Sequence, residues 1–355
     1  MSNRTTTPGR PAGDTTLPGG QTKASRCQVG GRTALLAVLL PLLLFSCRPA
    51  DRPLNVAGQH GLAYLPLAIM QTEGLLDTEL AGRGLPPAQW QQLGNATAIR
   101  EAMLAGRLDI GFMGLPPFLI GADKGTGWKL FSGLSEAPLG LVSLRPGYTN
   151  IADLTPADRI ALPQPGSIQH LLLAMAADRQ LGDAARFDDR LVSMGHPEGL
   201  SALLSGRDIA AHFTAPPYLQ TELEQPGARL ILSGEEAFGG RFTFIAGAAA
   251  PDWPANSRQQ EAARAFSAAL HTAIEMASSL QAALRQTAPD NYSFQLLKRL
   301  ATFYKLPPET LTQQLLDPQL RYSSEIRGLE EFAAFMYKQG QIKITNLKPL
   351  RAESW

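Results

Sequence analysis

The sequence predicts an α/β fold of two similar lobes, each a mostly parallel sheet flanked by helices. The main observation is a segment that occurs twice, over residues 102–119 and again over residues 202–219. In each copy a helical turn ends at glycine, a short strand follows, and a loop leads to a proline pair, which suits the start of a helix. The loop therefore lies at the carboxyl end of a strand, where open α/β sheets bind ligands.

The composition argues against a nucleic-acid partner and against cysteine chemistry in the mature protein. The chain has 355 residues, 44% of them hydrophobic, which suffices for one or two globular cores. Its 32 basic and 31 acidic side chains form no basic run, so we expect no nucleic-acid partner. The only cysteines are Cys27 and Cys47, both in the predicted leader. The mature body is therefore predicted to have no disulfide, no thiol nucleophile and no cysteine metal site.

The N-terminus carries an apolar run at 34–46 that follows basic residues and stops at Cys47. The run is too short to span a bilayer and is typical of a secretory signal. Residues 44–47, Leu-Phe-Ser-Cys, resemble a bacterial lipobox, in which the cysteine is lipidated and becomes the first mature residue. An uncleaved signal anchor and a plain secretory signal are the alternatives.

We therefore predict a lipoprotein signal peptide at 1–46, lipidation of Cys47 and a tether at 47–53, with stable anchoring to the membrane. Residues 1–30 are longer than the usual start of such a signal. One hypothesis is a start site assigned too far upstream, with the real start near Val29.

The first lobe is predicted to begin with a strand at 54–57 and a loop at 58–61. Pro66 opens a helix that stops before Gly74, and Thr97 is the predicted N-cap of the next helix. The strand of the first repeat follows, and the predicted strands after it lie at 130–133 and 139–144.

The second lobe repeats this order. A strand at 159–162 leads through the loop 163–166 to a helix with Ser167 as its N-cap, and a strand at 191–194 leads to a helix start at His196. The strand of the second repeat and a strong strand at 242–247 follow. Beyond Pro254 the Ala- and Leu-rich pattern predicts mainly helices.

Two chain crossings between the lobes fit best at 139–144 and 242–247, which would form a two-stranded hinge. Lobe 1 is then predicted to comprise 54–143 and 246–355, including the C-terminal helices, and lobe 2 to comprise 144–245.

Four segments carry a resemblance to a known family: 73–76 (EGLL), 104–112 (LAGRLDIGF), 165–170 (PGSIQH) and 212–217 (HFTAPP). Over residues 54–247 the chain resembles bacterial solute-binding proteins of the nitrate, sulfonate and taurine ABC-importer group, a branch of the type II periplasmic binding protein fold. The resemblance implies a small solute held between the lobes and delivered to an ABC permease with its ATPase. It also implies a location in the periplasm or at the cell surface, and we expect a monomer.

In such a fold the ligand faces strand ends and helix N-termini from both lobes. The positive end of a helix dipole favours an anion without any Lys or Arg. The predicted ligand-binding residues are Gln59, His60, Met113, Gly114, Ser135, Ser167, Ile168, Gln169, His170, His196 and Thr214.

Four of the five histidines lie in or beside these loops, with His271 the exception. Each could instead cap a helix or donate to a backbone carbonyl in the core, and His212 is expected to face the lobe-two sheet. No HxH or HxxxH spacing supports a metal site. Ser167 is better explained as an N-cap than as a nucleophile. We therefore predict no catalytic residue, no metal and no cofactor.

Two rival functions stay open. One is an enzyme on the same fold, with thiamine-pyrimidine or menaquinone-precursor chemistry, against which the absent cysteines and the export signal argue. The other is a ligand-sensing lipoprotein that works without a transporter. The sequence does not separate nitrate, bicarbonate, an alkylsulfonate, an aromatic sulfonate and a pyrimidine as ligands.

Overall fold

The computed structural model describes residues 52–286 and 290–352, which belong to one compact unit containing two sheets. The predicted signal peptide, the lipidation site Cys47 and the tether up to residue 51 lie outside the described residues. Within the described part of the chain, no helix is long and apolar enough to cross a membrane.

The described residues form eleven strands, numbered in chain order. They are β1 (Asn55–Gly58), β2 (Gln89–Gln92), β3 (Ile110–Gly114), β4 (Lys129–Glu136), β5 (Gly140–Ser143), β6 (Ile160–Leu162), β7 (Leu191–Ser193), β8 (Ala211–Thr214), β9 (Arg229–Ser233), β10 (Ile245–Ala249) and β11 (Arg321–Tyr322).

Twelve α-helices are formed by the same residues. They are α1 (Leu65–Thr72), α2 (Leu75–Gly82), α3 (Ala96–Leu104), α4 (Leu115–Asp123), α5 (Ile168–Leu181), α6 (His196–Ser205), α7 (Tyr218–Leu223), α8 (Gly234–Phe238), α9 (Ser257–Leu284), α10 (Asn291–Tyr304), α11 (Pro308–Leu315) and α12 (Leu329–Lys338).

The two sheets have the same plan. The first has the order β11-β4-β10-β3-β1-β2 and the second the order β7-β6-β8-β5-β9. In the first sheet β1 pairs parallel to β2 and β3, and in the second β6 pairs parallel to β7 and β8. The strands that enter each sheet from the other lobe, β10 and β5, run antiparallel to their neighbours. The sheets are therefore mixed rather than mostly parallel.

The chain crosses between the sheets at 137–139 and again at 239–244. Strand β5 belongs to the second sheet, because Leu141 pairs with Phe213 and Val142 pairs with His212. The predicted lobe boundary places these residues in lobe 1, so the first crossing lies a few residues earlier than expected. The last strong strand also begins later than expected, at Ile245 rather than Phe242.

Aromatic and ionic contacts join the lobes beside the crossings. The rings of Phe238 and Phe242 from the second crossing region pack on Phe332 of α12, with centroids 4.9 and 5.7 Å away. The Lys338 ammonium of α12 lies 2.7 Å from the Asp178 carboxylate of α5. These contacts hold the two sheets in one arrangement around the space between them.

Capping side chains and proline pairs mark where several helices begin. The Ser167 hydroxyl accepts a hydrogen bond from the His170 N–H, as predicted for the N-cap of α5. The cap of α3 is Asn95 rather than Thr97, because the Asn95 side-chain oxygen accepts from the Ala98 N–H at 2.9 Å. The proline pair of the first repeat lies in the first turn of α4, whereas α7 begins one residue after the second pair.

Two helical glycines provide a test of packing in lobe 1. A methyl group at Gly121 in α4 would lie 2.1 Å from the buried Trp128 ring, whereas one at Gly82 in α2 would meet nothing within 4 Å. We expect Gly121→Ala to lower the free energy of unfolding by about 1–3 kcal/mol because of overpacking. Gly82→Ala, the matched control, should leave it unchanged or raise it by up to about 1 kcal/mol. Urea denaturation measures both, and equal effects would contradict the described packing.

Candidate functional site

A cleft lies between the two sheets, where strands from both lobes end and helices begin. Its volume is about 50 Å³. Lobe 1 lines it with the loop after β1 and the starts of α3 and α4. Lobe 2 lines it with the loop after β6, the starts of α5 and α6, and the chain after β8.

The lobes approach each other closely across this cleft. A methyl group at Gly114 of lobe 1 would lie 3.5 Å from the Ile168 Cβ of lobe 2. One at Gly61, where φ is +125°, would lie 3.2 Å from the Pro216 carbonyl oxygen. The positive φ and the nearby main chain make glycine necessary at Gly61, whereas the distance at Gly114 is an ordinary van der Waals contact.

The structure brings most of the predicted site residues together. Those that line the cleft are Gln59, His60, Gly114, Ser167, Ile168, Gln169 and His196. They come from both lobes and from different helix starts, as the repeated strand-loop-helix pattern indicated.

The other four predicted residues do not line the cleft. Met113 packs in the hydrophobic core of lobe 1. His170 holds its own loop, because its Nδ1 accepts from the Gly166 N–H and its Nε2 lies 2.9 Å from the Asp188 carboxylate. The hydroxyls of Ser135 and Thr214 are buried without a hydrogen-bond partner. Their positions at the ends of β4 and β8 are as expected, but their side chains are covered.

The charge environment of the cleft comes from the backbone. Helices α3, α4, α5 and α6 all begin at the cleft, so their positive dipole ends converge there. None of the described residues that line it is Lys or Arg. An anion is therefore the ligand class that this environment favours, without a fixed cationic side chain.

A row of polar side chains leads from the cleft into the core of lobe 2. His196 Nε2 lies 3.4 Å from Gln169 Nε2, and His196 Nδ1 lies 3.3 Å from His212 Nε2. At the inner end, His212 Nδ1 lies 2.6 Å from Glu222 Oε1. We call Glu222, His212 and His196 the relay. The Tyr218 ring stacks on His196, with centroids 5.7 Å apart.

Burial disfavours every charged form in the relay. It lowers the pKa of His212 to about 3, and burial together with the charge of His212 lowers the pKa of His196 to about 3. Burial raises the pKa of Glu222 to about 8. The second carboxyl oxygen, Oε2, is buried without a hydrogen-bond partner. A charged carboxylate here would lack the hydrogen bonds that usually compensate its burial.

His60 faces the cleft from lobe 1. Its Nδ1 lies 2.8 Å from Gln92 Nε2, and burial followed by the charge of Lys305 lowers its pKa. The neutral ring is therefore favoured, and it contributes hydrogen bonding rather than charge. Among the described residues, no group of three or more His, Cys, Asp or Glu side chains could hold a metal ion.

Glu222 is not among the residues that the sequence predicts for the site, and His212 is predicted only to face the lobe-two sheet. Leu219 and Glu222 are both buried on α7, three residues apart and so on one face of the helix. An acidic residue on an apolar helix face is the signal that could have identified Glu222. Its pairing with His212 of β8 depends on how α7 packs on the sheet, which no local spacing reveals.

Sequence comparisons find no match, neither among protein-family models nor among curated proteins. Solved structures do match. The periplasmic aliphatic sulphonate-binding protein SsuA from Escherichia coli has a TM-score of 0.63 and 20% identity, covering 85% of this chain and 92% of that chain. The alkanesulfonate-binding protein SsuA from Xanthomonas axonopodis pv. citri, bound to MOPS, has a TM-score of 0.63 and 20% identity, covering 83% and 95%.

The periplasmic nitrate-binding protein NrtA from Synechocystis PCC 6803 is similar with a TM-score of 0.62 at 14% identity, covering 84% of each chain. At these identities the comparison shows the fold. The expected periplasmic binding protein fold is therefore confirmed, and its structural neighbours include proteins that bind sulfonates and nitrate.

The raised pKa of Glu222 predicts a pH dependence of stability. Between its ordinary pKa of 4.5 and about 8, the folded state binds this proton more tightly than the unfolded state. The contribution of Glu222 to stability therefore falls as the pH rises through this window. From pH 6.5 to 8.5 we expect the wild type to lose about 1–2 kcal/mol more free energy of unfolding than Glu222→Gln.

Urea denaturation at both pH values measures this difference. Glu224→Gln is the matched control, because Glu224 is an exposed residue that follows the same helix. It should show the wild-type pH dependence. Parallel pH profiles for the wild type and Glu222→Gln would mean that Glu222 is ionised throughout.

Proposed function

We propose that this protein is an extracytoplasmic solute-binding protein of an ABC importer, which captures a small anion between its lobes and delivers it to the permease. The observation that carries the proposal is the convergence of four helix N-termini, from both lobes, on one cleft lined without Lys or Arg. Such a cleft supplies hydrogen-bond donors and positive potential from two bodies that can close on a ligand.

The substrate class we propose is a nitrate-, sulfonate- or taurine-like anion. The cleft is narrow, with a volume of about 50 Å³, which suits a compact ligand of a few heavy atoms. Structural neighbours are named for aliphatic sulphonate, alkanesulfonate and nitrate binding, which supports an oxyanion. Their names also describe binding proteins rather than enzymes. The Ser167 hydroxyl accepts a hydrogen bond from the His170 N–H. Its role as a helix cap explains this serine without a nucleophilic role.

The residues have distinct proposed roles. The main-chain N–H groups at Gly114 and at the start of α5 donate hydrogen bonds to the anion. Gly114 has no side chain of its own to cover its main chain. Gln59, Gln169 and His196 supply side-chain hydrogen bonds from opposite lobes. Since a ligand held by both lobes stabilises the closed form, the permease can distinguish loaded from empty protein by its shape.

The N-terminal residues have a proposed role in export and membrane anchoring. We propose that residues 1–46 are a signal peptide and that Cys47 carries the lipid anchor, with 47–53 as the tether. The protein would then act as a monomer at the periplasmic or outer face of a membrane, next to a permease and its ATPase. Mass spectrometry of the mature N-terminus tests the anchor, and an unmodified Cys47 in membrane-targeted protein would contradict it.

Isothermal titration of the mature body with nitrate, bicarbonate, taurine and methanesulfonate tests the binding function. We expect micromolar or tighter binding of at least one of them, with compaction in small-angle scattering. Gln169→Glu places a carboxylate in the cleft and should weaken that binding at least about tenfold through charge repulsion.

Gln260→Glu makes the same charge change on an exposed residue of α9 and should bind as the wild type does. Absence of heat and of compaction with every anion would overturn the proposal. So would equal effects of the two variants, because binding would then not occur at this cleft.

A further inference from the structure

A second groove, larger than the cleft, lies at the other end of the first sheet. It has a volume of about 790 Å³ and runs between the start of β4, the chain after β10, the first turns of α9 and the C-terminal segment 348–352. The cleft lies where β3 ends and β10 begins, whereas the groove lies where β4 begins and β10 ends. The two sites are therefore at opposite ends of the same sheet. We call this second site the basal groove.

Basic side chains dominate the lining of the basal groove. Among the described residues it is lined by one carboxylate, Asp252, and by four basic side chains, Lys129, Arg264, Lys348 and Arg351. The two arginines each pair with a neighbouring glutamate, which offsets part of their charge. The excess of positive charge therefore comes mainly from the two lysines.

These two lysines keep their full charge. The Lys129 ammonium donates a hydrogen bond to the Pro349 carbonyl oxygen, which satisfies a donor without neutralising the charge. Within the part of the chain that the structure describes, neither Lys129 nor Lys348 forms an ion pair with a carboxylate. Lys348 is also exposed to solvent. The groove therefore presents a positive potential to whatever lies against this end of lobe 1.

The floor of the basal groove is apolar. Pro251, Trp253, Pro254 and Ala263 line it, and Trp253 is buried. An apolar floor beneath a basic rim matches a phospholipid head group, which carries phosphate oxygens on a glycerol backbone. Lysine and arginine form charge-assisted hydrogen bonds to phosphate oxygens and are attracted to anionic lipid surfaces.

The N-terminus of the described chain enters the fold beside this groove. Arg52 Nη1 donates to Oδ2 of the buried Asp109 carboxylate at 3.0 Å, and the Asn55 N–H donates to the same oxygen at 2.9 Å. Trp253 lines both the basal groove and the hollow that contains Arg52. The ion pair with Asp109 therefore fixes the start of lobe 1 next to the groove.

The proposed lipid attachment site is close to this point in the sequence. Cys47 precedes Arg52 by five residues. Five residues span at most about 18 Å even when fully extended. An anchored chain therefore has the basal groove close to the membrane surface. At so short a range the anchor supplies a high effective concentration of lipid, so a weak electrostatic contact suffices for binding.

We propose that the basal groove binds the head groups of anionic phospholipids in the membrane that carries the anchor. The proposal rests on the lipid anchor of the proposed function and adds an orientation to it. The groove end of lobe 1 lies on the membrane, and the cleft at the opposite end of the sheet stays open to the surrounding solution. The lipid is recognised through its phosphate, because the apolar floor is recessed and Trp253 is buried.

Sedimentation with vesicles tests the groove without the anchor. The protein is the mature chain 47–355 with Cys47→Ser, so that neither an acyl chain nor the signal peptide contributes to binding. We expect it to sediment with vesicles of phosphatidylglycerol and phosphatidylcholine in equal parts and to stay in solution with phosphatidylcholine alone. Raising the salt concentration should weaken the binding, because salt screens exposed charges. Equal binding to both kinds of vesicle would overturn the proposal.

Charge reversal locates the contact. Lys129→Glu combined with Lys348→Glu should lower the affinity for the anionic vesicles at least about tenfold. The matched control is Arg159→Glu combined with Arg207→Glu, which makes the same change in net charge at two exposed positions before β6 and β8 of lobe 2. The control should bind as the parent chain does. Equal losses in the two double variants would overturn the proposal, because net charge rather than the groove would then drive binding.

Hydrogen exchange on the parent chain gives a test that needs no substitution in the groove. Anionic vesicles should slow amide exchange in 251–256 and 348–352 and leave the cleft loops at 59–61 and 163–167 unchanged. Slower exchange confined to other surfaces would overturn the proposal. Titration with glycerol phosphate separates the lipid from a free phosphate compound. Saturable binding of glycerol phosphate without binding to vesicles would overturn membrane docking.

The outcomes separate this proposal from the anchor on which it rests. Binding of the Cys47→Ser chain to anionic vesicles, together with an unmodified Cys47 in the exported protein, would support the groove and overturn the anchor. A lipidated Cys47 in a protein whose Cys47→Ser form ignores anionic vesicles would overturn the groove while the anchor stands.

Discussion

The dipoles at the starts of four helices meet in one cleft, and the rest of the chain serves to hold them there. Two sheets of the same plan each direct helix N-termini toward the other lobe. Because this convergence supplies positive potential from the backbone, the cleft needs no cationic side chain. Gly61, with its positive φ, then lets the main chains of the two lobes approach each other closely.

Neutral side chains that can form hydrogen bonds also line the cleft, beside the helix N-termini. His196 adds a hydrogen-bonding side chain that lines the cleft from the second lobe and contacts His212 in the core. The aromatic contacts around Phe332 and the Lys338–Asp178 ion pair lie beside the crossings rather than in the cleft. The contacts that join the lobes beside the crossings are therefore separate from the residues that line the cleft.

Much of this arrangement could be predicted from the strand-loop-helix pattern that recurs along the chain, because it places Gly114, Ser167 and His196 after strands and at helix starts. Local sequence patterns do not predict the features that depend on contacts between segments distant in the chain. The edge strands β2 and β11 are polar or short, and β5 changes lobe because of its partners. Glu222 joins His212 only after α7 packs on the second sheet.

The most direct test of a cleft that binds an anion through helix starts is a crystal structure of the protein purified at neutral pH without refolding. We predict an oxyanion between the lobes, within hydrogen-bond distance of the main chain at the start of α5. A ligand bound outside this cleft, or a cationic group placed against His196, would contradict it.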